Sequence, residues 1–423
     1  MSPRYRVCLM HPMDPRGDKV GGIETHVRLI LSRHPPDFHV LMVGLDEIGD
    51  CRVGAVRKLN VGGRDIDFLP VARIEADRVN VASRTIGGST TFRYALGLFR
   101  HVPAIARALA GAAASAELQR YEFALPAKLL GLPTIQMIHN AAGRDDKMDS
   151  LLKRYWFVQR GNEWLALHAA QRILGVNDGI VQRIARSWPK LAARCEVMTV
   201  SVDTGRFAPT RFDCADGVFR LCFAGRLDEF KDPPLMFSVL SGLQARLGGR
   251  LEFHYVGASD PHRTPGFSQI EPITIRHGAL APDAVAVVMR SCHAGILTSF
   301  YEGMPCYLLE MLASGRPLAA IRLPQFDPLI IDGVSGKLVE RSTPPAACAS
   351  RLVDGFADLW AAIQAGRVDP ARIAALVEPY AIETQMQRLF ARHRELQNAA
   401  SRKPARSPPF APTHGARRPQ SVE

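Results

Sequence analysis

Two glutamates, Glu302 and Glu310, lie eight residues apart where an apolar run gives way to a helical pattern. The apolar run ends at Thr298. Gly303 and Pro305 mark a turn after it, and leucines then recur at helical spacing. A strand, a loop and the start of a helix are therefore expected in that order. Such a junction presents unpaired backbone N–H groups and the positive end of a helix dipole, which suits an anionic ligand.

The spacing of these two carboxylates argues against a glycosidase. Hydrolysis of a glycosidic bond uses paired carboxyl groups roughly 5–9.5 Å apart across the bond. Eight residues of helix, at about 1.5 Å each, correspond to on the order of 12 Å. We therefore expect Glu302 and Glu310 to contact different parts of one extended ligand.

A second segment places two cations after a strand pattern. Residues 221–224 are hydrophobic, Gly225 marks a turn, and Arg226 and Lys231 follow before the next helical pattern. The guanidinium of Arg226 is a planar donor fork, and the ammonium of Lys231 is a point charge. Together they suit a diphosphate.

The N-terminal half carries two further segments. Gly21 and Gly22 open a helical pattern, but they do not form the Gly-x-Gly-x-x-Gly fingerprint, so a dinucleotide-dependent dehydrogenase is not supported. His139 ends a buried-type strand pattern, and ligands of α/β sheets bind at such ends. Glu24 is interpreted as an acid that favours the helix dipole, and His26 as a residue on the helix surface.

Together these segments resemble those of the retaining glycosyltransferases of family four, in the glycosyl transferases group 1 superfamily. Residues 302–310 resemble the Glu-x7-Glu signature, residues 225–231 the Gly-Arg-Leu…Lys segment, and residues 21–26 the Gly-Gly-x-Glu-x-His loop of that family. Asn177 departs from the family pattern, which often has a serine there. The resemblance covers residues 1 to about 397 and implies the α/β GT-B fold, with two Rossmann-like domains facing across a cleft.

The resemblance further implies a metal-independent, retaining hexosyltransferase that needs no cofactor and uses a UDP- or GDP-sugar as its donor. Glu310 would hold the ribose hydroxyls. In the implied catalytic roles, Glu302 and His139 position the transferred sugar. Arg226 and Lys231 stabilise the leaving phosphate. The implied donor site comprises Gly21, Gly22, Arg226, Lys231, Gly303, Met304, Pro305 and Glu310.

The implied acceptor is a glycan, a glycolipid or a small molecule in bacterial polysaccharide or glycoconjugate synthesis. Two alternatives share the fold and stay open. A sugar-nucleotide epimerase would act without an acceptor, and a non-catalytic partner in a polysaccharide assembly complex would have lost motif charges. Every motif charge is present here.

Strand patterns alternate with helical patterns along the chain, which predicts parallel sheets. The expected strands are residues 5–11, 39–44, 134–139, 172–176, 219–224, 251–256, 273–277 and 294–298. The segment from Val202 to Pro209 resembles the family's interdomain linker. We expect an acceptor-binding domain at 1–203, a nucleotide-sugar-binding domain at 204–380, a helix crossing back at 381–397 and a disordered basic tail at 398–423.

The composition predicts a soluble, cytoplasmic protein. Of 423 residues, 47% are hydrophobic and 22% charged, which is ordinary for a globular chain. The sequence contains neither an apolar run of roughly 18–20 residues nor a signal-peptide core. Its eight cysteines form no Cys-x-x-Cys pair, so we expect reduced thiols.

The net charge of +12 favours an anionic ligand or an anionic membrane surface, whereas no nucleic-acid motif is recognisable. Residues 93–107 carry arginines at seven-residue spacing and are interpreted as a core-packing helix with a basic edge. Peripheral contact with the inner face of the plasma membrane is the alternative. Asp65 and Asp67 form an Asp-x-Asp pattern on an alternating strand, so no metal is assigned.

Overall fold

The computed structural model describes residues 4–17, 19, 21–75, 89–140 and 156–402. These residues form two α/β domains, each built on a mostly parallel sheet with helices between its strands. Parallel neighbours need a crossover connection, and helices supply it. The predicted fold class is confirmed.

The described part of the N-terminal domain contains an eight-stranded sheet in the order β3-β4-β2-β1-β5-β6-β7-β8, in which β3 runs antiparallel to β4. Its strands are β1 (Tyr5–Met10), β2 (Phe38–Asp46), β3 (Arg57–Val61), β4 (Arg64–Arg73), β5 (Ala114–Leu118), β6 (Thr134–Ile138), β7 (Arg172–Gly175) and β8 (Cys195–Val197). Its helices are α1 (Gly22–Arg33), α2 (Thr90–Leu109), α3 (Ala124–Leu129), α4 (Trp156–Ala169) and α5 (Asp178–Ser187).

The C-terminal domain contains a six-stranded parallel sheet in the order β11-β10-β9-β12-β13-β14. Its strands are β9 (Phe219–Ala224), β10 (Leu251–Val256), β11 (Thr274–Gly278), β12 (Ala294–Leu297), β13 (Leu318–Ile321) and β14 (Gly336–Val339). Its helices are α6 (Pro233–Arg246), α7 (Phe267–Ile270), α8 (Pro282–Ser291), α9 (Cys306–Ala313), α10 (Pro345–Gln364) and α11 (Pro370–Ala375).

All eight strands expected from the sequence are present, within two residues at each end. The central strand β5 was not expected. It contains Ser115 and Glu117, both fully buried, and these polar residues interrupt the apolar pattern by which a buried strand is recognised.

The chain crosses between the domains twice, and the two crossings pair with each other. Val202 forms a parallel bridge with Ala381. The Val202 N–H donates to the Tyr380 carbonyl at 3.0 Å, and the Ile382 N–H donates to the Val202 carbonyl at 2.9 Å. The two connections therefore form one junction.

The second crossing leads into α12 (Ile382–Ser401), which packs against α1, β1 and β5 of the N-terminal domain. The helix ends at Ser401 rather than at residue 397, because Ala399 and Ala400 favour helix. The tail expected from residue 398 is thus helical at its start. Residues 403–423 lie outside the described residues.

The helix expected near residues 93–107 is α2, which buries Tyr94 and Leu98 on one face. On another face Phe92, Leu96 and Phe99 are 47%, 57% and 41% exposed. Among the described residues, no helix combines the length and the apolar character needed to cross a bilayer.

Candidate functional site

The loop after β9 carries the two predicted cations. Gly225 has a φ of 148°, in a region that favours glycine. The next turn is fixed by the Leu227 N–H, which donates to Ser259 Oγ at 3.1 Å. The Arg226 side chain is 57% exposed and pairs with Asp228 at 3.0 Å. Because surface ion pairs are weak, Arg226 can exchange this partner for a ligand phosphate.

Lys231, at the end of the same loop, contacts the loop after β12. Its Nζ donates to Glu302 Oε1 at 2.7 Å, and the two side chains are only 15% and 10% exposed. Ser299 Oγ donates to the same carboxylate oxygen at 2.8 Å. Thr298 Oγ1 donates to the Lys231 carbonyl at 2.7 Å. The two predicted motifs are therefore joined by hydrogen bonds.

Asp232 turns the chain directly after Lys231. Its φ of 51° and ψ of 55° are left-handed, which is uncommon for a residue other than glycine. Its carboxylate accepts a hydrogen bond from Arg341 Nη1 at 2.7 Å, and Arg341 also donates to the Thr298 carbonyl. These bonds hold a strained turn that sets the direction of the lysine.

Helix α9 begins after Gly303, Met304 and Pro305, and no side chain of the described residues caps its first turn. Its first N–H groups therefore point out of the helix toward the preceding loop. Glu310 follows within the helix and is half-buried. Burial raises the pKa of Glu310 to about 7, against the opposing positive charge of Arg206.

Gly303 lies against the N-terminal domain. A Cβ at this position would lie 1.9 Å from the His139 carbonyl oxygen, so no side chain fits there. Asn177 Nδ2 donates to the Gly303 carbonyl at 2.7 Å, and Asn177 Oδ1 accepts from the Ile180 N–H at 2.9 Å. Asn177, which departs from the family pattern, thus caps α5 and contacts the other domain.

Gly22 also lies against the C-terminal domain. A Cβ on Gly22 would lie 3.6 Å from Cys306 Sγ, and that thiol donates to the Gly22 carbonyl at 3.7 Å. A Cβ on Gly21 would lie 2.3 Å from Glu24 Oε2. Gly22 therefore lies beside the first residue of α9, whereas Gly21 leaves room for the Glu24 carboxylate.

Glu24 is bound within its own domain. It pairs with His11 Nε2 at 3.1 Å and with Lys19 Nζ at 3.3 Å. Burial opposes its ionisation, yet the hydrogen bond from His11 and the positive charges of His11 and Lys19 hold the pKa of Glu24 below its usual range. These contacts make Glu24 a structural anchor for the start of α1.

His26 corrects the sequence-based interpretation. It is 2% exposed rather than on the helix surface, and burial lowers its pKa to about 4. Its ring lies 6.0 Å from the ring of His139, edge to face. His26 was misassigned because this side of α1 lies against His139 at the carboxyl end of β6, which helical spacing alone does not reveal.

His139 follows β6 at the carboxyl edge of the sheet and is half-buried. Its Nε2 lies 2.6 Å from Gln119 Oε1. Burial, followed by the charges of His26 and His11, lowers the pKa of His139 to about 3. The imidazole is therefore neutral at neutral pH.

A cavity of about 610 Å³ opens at the carboxyl ends of β10 and β11. Its lining includes Ser259, Arg276 and His277, and Ser259 also holds the Arg226 loop through Leu227. Ser259, Arg341 and Gln119 were missed from the sequence because each acts through a neighbour distant in the chain, and Ser299 was missed because its contact with Glu302 depends on how the loop folds.

Two acidic groups outside this site are satisfied by other residues. Asp65 accepts from Asn60 at 2.8 Å, and Asp67 pairs with His39 at 2.8 Å, both on or beside β4. Within the described ranges, one group places three metal-ligating atoms close together, namely those of Asp46, Asp50 and Cys51. Its two carboxylates already pair with arginines, Asp46 with Arg73 and Asp50 with both Arg16 and Arg57.

The architecture matches solved structures with the GT-B fold. Sucrose-phosphate synthase from Thermosynechococcus elongatus has a TM-score of 0.72 at 16% identity, over 94% of this chain and 100% of that chain. Anabaena Alr3699/HepE in complex with UDP and glucose has a TM-score of 0.62 at 13% identity, over 92% and 99% of the two chains. The two facing α/β domains of this chain are therefore a GT-B fold.

Residues 218–358 match the family model of the glycosyl transferases group 1. The matched range contains both predicted cations and both glutamates, so the C-terminal domain carries a glycosyl transferases group 1 domain.

Two curated relatives are each described as D-inositol 3-phosphate glycosyltransferase. The protein of Geodermatophilus obscurus is 28% identical over 170 residues, which cover 36% of this chain and 38% of the relative. That of Pseudarthrobacter chlorophenolicus is 28% identical over 204 residues, which cover 43% and 46%. The matched part of this chain spans less than half the length of these relatives.

Proposed function

We propose that the protein is a retaining, metal-independent glycosyltransferase that transfers a hexose from a UDP- or GDP-sugar. The observation that carries this proposal is the pairing of Lys231 with Glu302 beside the first turn of α9. This pairing joins the two motifs of the glycosyl transferases group 1 domain at one edge of the sheet. The curated relatives, whose names describe glycosyl transfer, support the same class.

The proposed donor extends along the carboxyl edge of the C-terminal sheet. Its diphosphate contacts Arg226, Lys231 and the N–H groups that begin α9, because these are positive groups of the loops that follow β9 and β12. Its ribose hydroxyls contact Glu310. Its base occupies the cavity beside Ser259, which adjoins the Arg226 loop and is large enough for a nucleobase. Gly21 and Gly22 close over the phosphates from the other domain.

In the proposed mechanism, the bond between the sugar and the diphosphate breaks while the acceptor hydroxyl attacks from the same face. The leaving phosphate takes the hydroxyl proton. Lys231 and Arg226 stabilise the charge that develops on it, and Glu302 holds Lys231 in place for this role. Glu302 and His139 position the sugar, and the neutral imidazole acts as a hydrogen-bonding group.

The proposed acceptor, a glycan, lipid-linked glycan or small molecule in bacterial polysaccharide or glycoconjugate synthesis, binds the N-terminal domain. Peripheral contact with an anionic membrane is proposed through α2. Its exposed Phe92, Leu96 and Phe99 stand next to Arg93 and Arg100 on the same helix. The protein should sediment with vesicles of anionic lipid, and the variant in which these three apolar residues are replaced by serine should stay in the supernatant.

A panel of UDP-, GDP- and ADP-sugars tests the donor class, since a ligand of the native state raises its thermal stability. Turnover is then measured with acceptors in excess chelator, and the anomeric configuration of the product is read by NMR. We expect transfer with retention in chelator. Inversion, or loss of activity in chelator, would contradict the mechanism. Conversion of the sugar nucleotide without acceptor indicates an epimerase, and binding without any turnover indicates a non-catalytic partner.

A further inference from the structure

A line of buried polar side chains connects His139 to α12. Apart from His139 itself, its members are between 0% and 2% exposed: Gln119, Glu117, His393, Ser115 and Gln397. Burying a polar group costs free energy unless the group is hydrogen-bonded, so such a line persists only when each member is satisfied.

The part of the line next to His139 has a defined direction. Gln119 Nε2 donates to Glu117 Oε1 at 2.6 Å, which turns the amide oxygen of Gln119 toward His139. An amide oxygen can only accept, so His139 donates from Nε2 across the 2.6 Å contact. In a neutral imidazole, Nδ1 is then the acceptor nitrogen.

The far part of the line is also hydrogen-bonded, although Gln397 Oε1 has no partner among the described residues. Glu117 Oε2 lies 2.9 Å from His393 Nε2, and His393 Nδ1 lies 2.8 Å from Ser115 Oγ. Ser115 Oγ accepts in turn from Gln397 Nε2 at 2.7 Å, and Gln397 also donates to the Arg6 carbonyl. With Glu117 as the acceptor, His393 donates from Nε2, and in a neutral imidazole its Nδ1 then accepts from the Ser115 hydroxyl.

We propose that Gln119 and Glu117, held by His393 of α12, are positioning residues that keep His139 in its Nε2–H form and leave Nδ1 to accept a hydroxyl of the substrate. The substrate role rests on the proposed function, in which His139 contacts the transferred sugar. The hydrogen-bond direction rests on the contacts alone. The helix that crosses back from the C-terminal domain thereby takes part in the N-terminal half of the site.

The first test is the tautomer of His139, read from ring ¹⁵N chemical shifts of histidine-labelled protein at pH 7.5. The signal is assigned by its absence in His139→Asn. We expect the Nε2–H tautomer in the unmodified protein. An Nδ1–H tautomer or an imidazolium would overturn the proposal without any need for a variant in the line.

The second test reverses the line. In Glu117→Gln, the new amide can donate to Gln119, whose own amide then turns its NH₂ toward His139, so we expect the Nδ1–H tautomer. His393→Gln keeps a donor to Glu117 and should keep Nε2–H, whereas His393→Leu should not. Gln136→Met is the matched control, because Gln136 is fully buried in the next strand and donates only to the Leu118 and Met137 carbonyls.

Kinetics separate positioning from mere loss of stability. We expect Glu117→Gln to lower kcat by roughly tenfold or more while donor affinity stays within about twofold, since a misdirected group near the reacting centre affects the reaction more than binding. Gln136→Met should lower thermal stability without this effect on kcat. An unchanged Nε2–H tautomer in Glu117→Gln overturns the proposal. If that variant does not fold, the two His393 variants decide, and identical tautomers in both overturn it.

The outcomes also distinguish this inference from the proposed function. Failure to turn over any sugar nucleotide would remove the glycosyltransferase assignment and the substrate role of Nδ1, while the spectra still decide the direction of the line. If the protein turns over a sugar nucleotide but the tautomer of His139 is the same in the Glu117 and His393 variants, only the positioning role is removed.

Discussion

The C-terminal edge of the cleft presents charged side chains on loops, whereas the N-terminal edge presents a neutral histidine backed by buried hydrogen bonds. Arg226 is more than half exposed, and Lys231 has one acidic partner. His139 is instead connected to Gln119 and Glu117, which are 2% and 0% exposed. The first edge has the charges that the proposed diphosphate requires, and the second has the contacts that would fix the direction of a hydrogen bond.

The two arrangements respond differently to substitution. Arg226 can be removed with little effect on folding, because its exposed pair with Asp228 is weak in water, whereas removal of Lys231 leaves the largely buried carboxylate of Glu302 without this partner. A member of a buried polar line leaves an unsatisfied partner behind, which costs stability as well as function. Four predictions test this contrast, in order of decreasing effect on catalysis.

Lys231→Ala should give the largest loss. Removing one preorganised donor to developing charge typically costs about 3–4 kcal/mol, or a hundred- to a thousandfold in kcat. Arg226→Ala should act in the same direction but less strongly, because Arg226 is far more exposed than Lys231. The measurement is steady-state kcat with saturating donor.

Arg246→Ala is the matched control for the exposed cation. Arg246 is 52% exposed and pairs with Asp354 on the surface of the same domain. Its removal should leave kcat unchanged. Full activity in the double variant Arg226→Ala/Lys231→Ala would show that the C-terminal edge does not act through charge.

Gly303→Ala should follow, with a loss of roughly a hundredfold in kcat. A Cβ there would overlap the His139 carbonyl, so the two edges must move apart, and displacements of about 1 Å at a reacting centre have costs of this size. Gly161→Ala is the control, because its Cβ would meet nothing within 4 Å inside α4. That change should be neutral or stabilising by about 1 kcal/mol. Equal kcat in the two variants would mean that contact between the edges is dispensable.

Glu310→Gln should change the pH dependence of donor binding. Since burial raises the pKa of Glu310 to about 7, the carboxyl ionises between pH 6 and 8 and becomes a stronger acceptor for ribose hydroxyls. Donor affinity, measured by calorimetry, should therefore rise with pH in the unmodified protein and stay flat in the variant, while kcat changes little.

Thermal unfolding provides a second measurement on Glu310. The folded form keeps a proton that the unfolded chain releases above its ordinary pKa, so folding stability falls as pH rises from about 4.5 to about 7. Glu310→Gln does not lose stability in this way. The Tm of the variant minus the Tm of the unmodified protein should therefore increase from pH 5 to pH 8. A constant difference in Tm would contradict the raised pKa.

Glu24→Gln should have the smallest effect on activity, within about twofold in kcat. Its partners His11 and Lys19 hold the pKa of Glu24 low, so the carboxylate stabilises the fold above its ordinary pKa and loses this contribution as pH falls. The substitution should lower the free energy of unfolding at pH 7 by about 1–3 kcal/mol, and by less at pH 3. A large loss of kcat in Glu24→Gln would show that a charged group of the N-terminal edge also takes part in catalysis.

The same contrast explains how much the sequence could predict. The C-terminal edge comes from contiguous segments in which a strand pattern, a glycine and the charged residues follow one another, so its strands and the positions of these residues after them were predictable. At the N-terminal edge, His139 was readable as the end of a strand, but Gln119, Glu117 and His393 come from distant parts of the chain. Only tertiary packing brings them together.

A faint signal for the buried line was nevertheless present. His393 and Gln397 continue the apolar stripe of α12 that begins at Ile382, and Glu117 stands in a short strand of small residues. Polar residues on a buried stripe need hydrogen-bond partners. Those partners could not be named from the sequence, because periodicity shows which face of a helix is buried but not which residues pack against that face.

The paired crossings at Val202 and Ala381 make the two connections between the domains act as one spine. Any change in the width of the cleft would act through this one junction and would alter the distance between Gly303 and the His139 carbonyl. Helix α12 lies on the N-terminal side of the spine and travels with that domain. The contacts from His393 through Glu117 and Gln119 to His139 all lie on this side of the junction, so they do not depend on the position of the C-terminal domain.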